Sequence, residues 1–282
     1  MNTARISGKA RIAGVMGWPV AHSRSPRLHN YWLARYGIDG AYVPLAVRPE
    51  NLESAVRGLP ALGFAGANLT IPHKEAVLPF LDEIDPAAAR MGAVNTIVVR
   101  DGRLSGRNTD GFGFLENLKA GAPSWRAASG PAVVIGAGGA AKAIAWALID
   151  AGVPHLRVVN RTMERAQTLA AVLGPAATAV SWDERAAALA DAALVVNASA
   201  LGMTGQPPLE LDLSALPQSA VVNDIVYVPL ETALLTAARA RGHLVVDGIG
   251  MLLHQGRPGF QAWYGIDPAV DDDQRAHVLA SL

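Results

Sequence analysis

Cysteine is missing from all 282 residues, which excludes disulfides, thiolate nucleophiles and cysteine-ligated metals and leaves the redox compartment open. Net charge is missing as well. The 24 basic and 24 acidic side chains cancel, so there is no electrostatic footprint for nucleic acid or an anionic membrane surface. No apolar run approaches the ~20 residues of a membrane span, and residues 1–10 lack the apolar core of a signal peptide. No repeat of solenoid period and no low-complexity tract is present. Lysine is scarce, occurring only at Lys9, Lys74, Lys119 and Lys142. Against these absences stand a hydrophobic fraction of 51% and a charged fraction of 17%, the composition of a chain with ample core. The length fits two domains better than one. The expectation is a soluble cytoplasmic protein, monomer or homodimer, that handles a small molecule and engages no nucleic acid, membrane or metal.

Strand-like and helix-like periods alternate through the first third. Residues 11–17, 41–47 and 64–69 read as strands, with helices over 25–36, 51–58 and from Pro72 onward. Such alternation with short connections implies right-handed βαβ units and a parallel sheet. Segments 93–100 and 103–107 flank Asp101-Gly102, a hairpin turn, and 109–120 reads as a helix. A break over 121–130 leads into a second α/β unit. Its strands fall at 132–135, 156–160, 177–180, 193–197, 220–224 and 244–247, with helices at 140–151 and 163–173 among them. Residues 251–282 read as a helical tail that packs back onto the first domain. The expected organisation is a substrate-binding and catalytic domain over 1–110, completed by 251–282, and a cofactor domain over 111–250.

Three polar strings stand out: Asn68-Leu-Thr-Ile-Pro-His-Lys74, Ala93-Val-Asn95-Thr96 and Asn108-Thr-Asp110-Gly111. Lys74 follows Pro72, a residue suited to a first helical turn because its missing N–H costs nothing there. A cation in that turn faces the positive end of the helix dipole unless a carboxylate compensates, and Asp110 is the best candidate partner. This is one way to bring an ammonium toward the pKa that proton transfer needs. Ser23, Ser25, Asn68, Thr70, Lys74, Asn95 and Asp110 fall at strand ends or in adjoining loops, where open α/β sheets bind ligands. Hydroxyls and amides around one cation suit a small polyhydroxylated carboxylate. His22 and His73 read as loop and helix-start residues rather than bases, and His254 pairs with no other potential ligand.

Val133-Val-Ile-Gly136-Ala137-Gly138-Gly139-Ala140-Ala141 places a glycine-rich turn between an apolar strand and a long apolar helix. Gly136 permits a tight turn, Gly138 lets the backbone approach a pyrophosphate, and the helix N-terminus supplies N–H donors. The end of the next strand decides the cofactor. NAD sites place a carboxylate there to hold the ribose diol. Here the string is Asn160-Arg161-Thr162, with Arg165 one turn on, so two guanidiniums are available for a 2′-phosphate. The cofactor reads as NADP.

The chain resembles the shikimate dehydrogenase family over nearly its whole length. The resemblance rests on Ala21-His-Ser-Arg-Ser-Pro26, Gly66-Ala-Asn-Leu-Thr-Ile-Pro-His-Lys74, Gly92-Ala-Val-Asn-Thr96 and Asn108-Thr-Asp-Gly111. It continues in Gly136-Ala-Gly-Gly-Ala140, Asn160-Arg-Thr162 and Asp247-Gly-Ile-Gly-Met-Leu252 with Gln255. It implies an α/β fold: an N-terminal substrate domain with a mainly parallel sheet, a Rossmann-like NADP domain, and C-terminal helices returning to the first. By the same resemblance, Ser23 and Ser25 hold a substrate carboxylate, and Asn68, Asn95 and Gln255 bind its hydroxyls. Thr70 lines that pocket, Tyr227 stands near the substrate, and Lys74 with Asp110 forms the catalytic pair. Asn160, Arg161, Thr162 and Arg165 read the 2′-phosphate, while Asn197, Ile225 and Gly248 line the cofactor side.

Three departures accompany the resemblance. Ile225 stands where many members carry Met beside the nicotinamide. Trp18 occupies a turn position often filled by a small polar residue, and Gly256-Arg257-Pro258 interrupts the start of the final helical region. The reaction implied is reversible NADPH-dependent reduction of 3-dehydroshikimate. A dual quinate/shikimate dehydrogenase and a non-catalytic NADP-sensing protein stand as alternatives.

Overall fold

A computed structural model describes residues 6–280, so the readings made for residues 1–5 and for the final two lie outside the described residues. The chain divides into two compact units, Met1–Thr109 with Gln255–Leu282, and Asp110–His254.

In the first unit, β1 (Arg11–Gly17) is followed by α1 (Ser25–Arg35), β2 (Gly40–Ala46), α2 (Leu52–Gly58) and β3 (Phe64–Leu69). After β3 come α3 (His73–Ala76), β4 (Glu83–Ile84), α4 (Pro86–Met91), β5 (Thr96–Arg100) and β6 (Arg103–Arg107). The sheet order is β2-β1-β3-β5-β6-β4. β1 runs parallel to both β2 and β3, which is what βαβ crossovers through α1 and α2 produce. β5 and β6 form the expected antiparallel hairpin, with Asp101 and Gly102 at φ 52° and 76°, the left-handed pair of a type I′ turn. Alternation along these strands buries Met16, Leu69 and Ile97 with Val56, Val77 and Val94 in one apolar core.

The second unit opens with α5 (Asp110–Gly121), then β7 (Ala132–Ile135), α6 (Gly139–Asp150), β8 (Leu156–Val159), α7 (Met163–Leu173) and β9 (Ala177–Val180). It continues with β10 (Leu194–Asn197), β11 (Val221–Asp224), α8 (Ala233–Ala240) and β12 (Leu244–Val246). These strands are short and parallel, in the order β12-β11-β10-β7-β8-β9, with β7, β10 and β11 buried throughout. Counted from β7 this is the doubly wound dinucleotide-binding arrangement, whose order reverses between β7 and β10. Ligands of such sheets bind at that switch, outside the carboxyl ends of the strands.

The last helices are α9 (Ile249–Tyr264) and α10 (Asp272–Leu279). The expected interruption at Gly256-Arg257-Pro258 does not occur, and α9 runs through Pro258. Close packing explains the local sequence. A Cβ at Gly256 would stand 3.0 Å from Leu28 and 3.3 Å from both His29 and Trp32 on α1. The following residues complete an aromatic layer in the first unit. Trp263 donates its indole N–H to the Ile97 carbonyl at 2.9 Å, and Tyr264 its hydroxyl to Ala41 at 3.1 Å. His29 lies inside this layer, stacked on Tyr42 with centroids 4.1 Å apart and edge-on to Trp32. No helix of the described residues is long and apolar enough to cross a membrane.

Candidate active site

In the first unit the polar strings meet where β3 ends. Thr70 donates its N–H to the Met16 carbonyl at 2.9 Å, and the His73 N–H returns to the Thr70 carbonyl at 2.9 Å. This closes a turn through a cis Ile71–Pro72 bond, so Pro72 precedes α3 as its N-cap and does not form its first turn. Because α3 is a single turn of four residues, it carries little macrodipole, and the dipole reasoning applied to Lys74 does not hold. Hydrogen bonds hold the segment in place. The Lys74 carbonyl accepts the Val94 N–H at 2.8 Å, and the Asn95 carbonyl accepts the Leu69 N–H at 2.9 Å. His73 is fully buried with Nε2 2.8 Å from the Val47 carbonyl, an anchor for the loop, whereas His22 is exposed.

From Asn95 a chain of side-chain bonds runs in two directions. Its Oδ1 accepts the Thr109 N–H at 3.0 Å and the Thr96 hydroxyl at 2.9 Å. The Thr109 hydroxyl lies 2.9 Å from the Gln255 carbonyl, which ties the start of the C-terminal segment to the same cluster. Asp110, the next residue, is buried in the first turn of α5. In the other direction Asn68 donates Nδ2 hydrogens to Thr96 Oγ1 and to the Asn95 carbonyl, each at 3.0 Å. The Tyr42 hydroxyl then donates to Asn68 Oδ1 at 2.6 Å. Burial pushes the Tyr42 phenol well above its ordinary pKa, so it remains a donor.

Ser25 opens α1, and its N–H donates to Ser23 Oγ at 3.3 Å, so the two half-buried serines are held as a pair. The N-cap is Arg24, with no side-chain cap bond of its own. Trp18 is 40% exposed in the turn after β1, with the Arg48 guanidinium 4.8 Å over its ring.

In the second unit the glycine turn lies between β7 and α6, at the switch in strand order. Gly136 sits at φ 121°, and a Cβ there would come within 2.7 Å of the Ala198 carbonyl, so only glycine fits. Positions 138 and 139 behave oppositely. A Cβ at Gly138 or Gly139 would meet nothing within 4 Å, which leaves the turn open for a ligand's phosphates. Ala137 packs on the core below and Ala140 enters α6. Gly136, Asn160 and Arg161 line one pocket with Ser199, Leu201 and Trp182. Thr162 and Arg165 are exposed at the start of α7, outside that lining, and Asn160 donates to the Thr162 carbonyl at 2.9 Å.

The Asn197 side chain is wholly buried and engaged by protein. It donates to Leu201 O and to Asp224 Oδ1, each at 2.9 Å, and accepts the Ser199 N–H and hydroxyl at 3.1 and 2.7 Å. Asp224 also accepts the Val226 N–H at 3.0 Å and the Thr232 hydroxyl at 2.7 Å. Burial raises the Asp224 pKa, and these three donors oppose the rise. The result is a fixed backbone for the loop carrying Ile225 and Tyr227. A Cβ at Gly248 would lie 2.2 Å from the Ile225 carbonyl, so that position supports the same loop from beneath.

Four contributors were not assigned roles from the sequence: Tyr42, Thr96, Thr109 and Trp182. Thr96 and Thr109 stand inside the polar strings, so their chemistry was visible there. Tyr42 sits in the apolar run of β2, where an aromatic residue reads as core, and Trp182 in the polar turn Ser181-Trp-Asp-Glu-Arg185 after β9, with Arg185 4.7 Å over its ring.

The sequence model described as "Shikimate dehydrogenase substrate binding domain" matches residues 15–97, and "Shikimate / quinate 5-dehydrogenase" matches residues 122–203. The shikimate dehydrogenase (NADP(+)) of Paramagnetospirillum magneticum is 64% identical over 276 residues, covering 98% of this chain and 100% of that one. The chain belongs to the shikimate dehydrogenase family. Among solved structures, shikimate 5-dehydrogenase from Thermus thermophilus, in complex with NADP(H) and shikimate, is 39% identical with a TM-score of 0.86. That likeness covers 96% of this chain and 100% of that one. Quinate dehydrogenase from Corynebacterium glutamicum, in complex with NAD, is 35% identical with a TM-score of 0.88, covering 97% and 99%. These relatives are thus named for either of two hydroxylated acids, and their solved structures hold NADP(H) in one case and NAD in the other.

Proposed function

We propose that this protein is an NADP-dependent shikimate dehydrogenase, reversibly reducing 3-dehydroshikimate to shikimate in chorismate and aromatic amino acid biosynthesis. The observation that carries this reading is the hydrogen-bonded Asn68–Thr96–Asn95 cluster joined to the Lys74 loop. It gives a polar surface of amides and hydroxyls tied to the Lys74 backbone, which suits a small hydroxylated acid. The 64% identity to a shikimate dehydrogenase (NADP(+)) over 98% of the chain supports it.

The unit containing Lys74 takes the substrate. Ser23 and Ser25 hold its carboxylate, while Asn68, Asn95 and Gln255 bind hydroxyls, with Thr70 lining the pocket. NADPH supplies the hydride that reduces the carbonyl carbon. As negative charge grows on the carbonyl oxygen, Lys74 donates a proton from Nζ, and Asp110 orients the ammonium. In the reverse direction neutral Lys74 accepts the alcohol proton.

The Asp110–His254 unit takes NADP. The backbone from Gly136 to Ala140 would hold the pyrophosphate, and Asn160, Arg161, Thr162 and Arg165 would read the 2′-phosphate, with Trp182 in the same pocket as Gly136, Asn160 and Arg161. Ile225 borders the nicotinamide, backed by Gly248, and Asn197 contributes by shaping its loop. The protein acts in the cytoplasm as a monomer or homodimer.

A second reading, activity on quinate, is favoured by the 35% identity to a quinate dehydrogenase. The deciding experiment mixes purified protein with NADP and shikimate. It follows the nicotinamide absorbance and identifies the product. Reduced cofactor and 3-dehydroshikimate in equal amounts support the proposal, and no turnover rejects it.

A further inference from the structure

Amide side chains present either a donor or an acceptor, and their neighbours decide which. Asn95 faces the Thr109 N–H, which can only donate, so the atom at 3.0 Å is oxygen. Thr96 gives its single proton to that oxygen at 2.9 Å and must therefore accept from Asn68. The Asn95 backbone carbonyl, which can only accept, imposes the same orientation on Asn68 from 3.0 Å away. Both Nδ2 hydrogens of Asn68 are thus used within the protein. Its Oδ1 faces Tyr42 at 2.6 Å and has one more lone pair to offer.

We infer that Tyr42 is a positioning residue for the substrate, holding Asn68 as a hydrogen-bond acceptor. The substrate group at Asn68 is then a hydroxyl that donates, and a ketone or ether oxygen at that position is rejected. This rests on the reading of Asn68 as a substrate-binding residue. Tyr42 is suited to the task because it is 2% exposed, its ring is clamped by His29 at 4.1 Å, and Trp263 stands 5.9 Å away. Its hydroxyl is therefore held at a fixed point.

Tyr42→Phe keeps the ring and removes only the hydroxyl. The loss of one hydrogen bond to Asn68 is expected to raise the KM for shikimate roughly 3- to 10-fold. kcat and the KM for NADP should change less than about twofold, since Tyr42 acts on neither the proton nor the cofactor. Asn68→Ala should raise the KM for shikimate further. The Tyr42→Phe/Asn68→Ala double variant should be no worse than Asn68→Ala alone, because Tyr42 acts through Asn68. A shift in melting temperature with unchanged KM in Tyr42→Phe, beside a damaged Asn68→Ala, would overturn this inference alone. Multiplying effects in the double variant would overturn it too, by making Tyr42 an independent contact. An unchanged KM in Asn68→Ala would remove the substrate role of Asn68 and this inference with it.

Discussion

Asn95 Oδ1 accepts the backbone N–H of Thr109 at 3.0 Å, so the residue just before β5 fixes the one preceding Asp110. The neighbouring Val94 N–H binds the Lys74 carbonyl at 2.8 Å. Two consecutive residues of the chain thus set the backbones on which the two proposed catalytic groups are carried.

Lys74→Ala is expected to lower kcat by about 10²–10⁴, the range for loss of a general acid–base, with KM changed much less. Asp110→Asn should also be severe. Because the pair acts as a unit, the double variant should be far less impaired than the product of the single losses. A Lys74→Ala protein with normal melting and near-normal kcat would remove Lys74 from the chemistry.

Ser23→Ala and Ser25→Ala should each weaken shikimate binding. Under the proposed carboxylate contact each variant loses a hydroxyl opposite a charged oxygen, worth roughly 1.5–3 kcal/mol. NADP affinity measured without substrate should hardly move. Equal losses for both ligands would place the serines outside the carboxylate site.

His29 gives a pH dependence of stability. Burial lowers its pKa from 6.5 to about 3, so the folded protein resists a proton that the unfolded chain accepts. Its contribution is complete above the ordinary value and is lost as pH falls from 6.5 toward 3. Across that window the loss is about 1.4 kcal/mol per pH unit. Denaturant unfolding of wild type and His29→Gln through the window measures it. The variant should show the shallower slope, and identical slopes would mean that the imidazole is protonated in the folded state.

Much of this architecture is legible in residue order. Short β-branched runs alternating with helical periods identify the parallel strands, and Gly136 marks the cofactor turn because no other residue fits against Ala198. Single-site conformations were less legible. Pro72 follows the rule for a first helical position, yet the turn closed by Thr70 and His73 takes it out of the helix. Pro258 reads as a breaker, but α9 continues through it, with Gly256 packed against α1. Asn197 has the position of a ligand group, while its amide is engaged by Leu201, Ser199 and Asp224, none of which is its immediate neighbour in sequence. Tyr42 shows the reverse. Its role depends on Asn68, brought beside it only because β2 and β3 both pair with β1.

Cofactor choice rests on Arg161 and Arg165 at the place where an NAD enzyme needs a carboxylate. The 2′-phosphate carries nearly two negative charges at neutral pH, and a guanidinium meets it with parallel hydrogen bonds. Arg161→Ala should raise the KM for NADP strongly and leave the use of NAD almost unchanged. Added salt should weaken NADP binding more in wild type than in the variant. An equal loss with both cofactors would show that Arg161 does not read the phosphate.

The central claim, a shikimate dehydrogenase that uses NADP, is tested most directly by kcat/KM for four pairings: shikimate or quinate with NADP or NAD. The absorbance of the reduced nicotinamide reports each rate. The account predicts that shikimate with NADP exceeds every other pairing, and that replacing either partner lowers kcat/KM by at least about tenfold, or ~1.4 kcal/mol in transition-state stabilisation. A higher value for quinate, or for NAD, would contradict it.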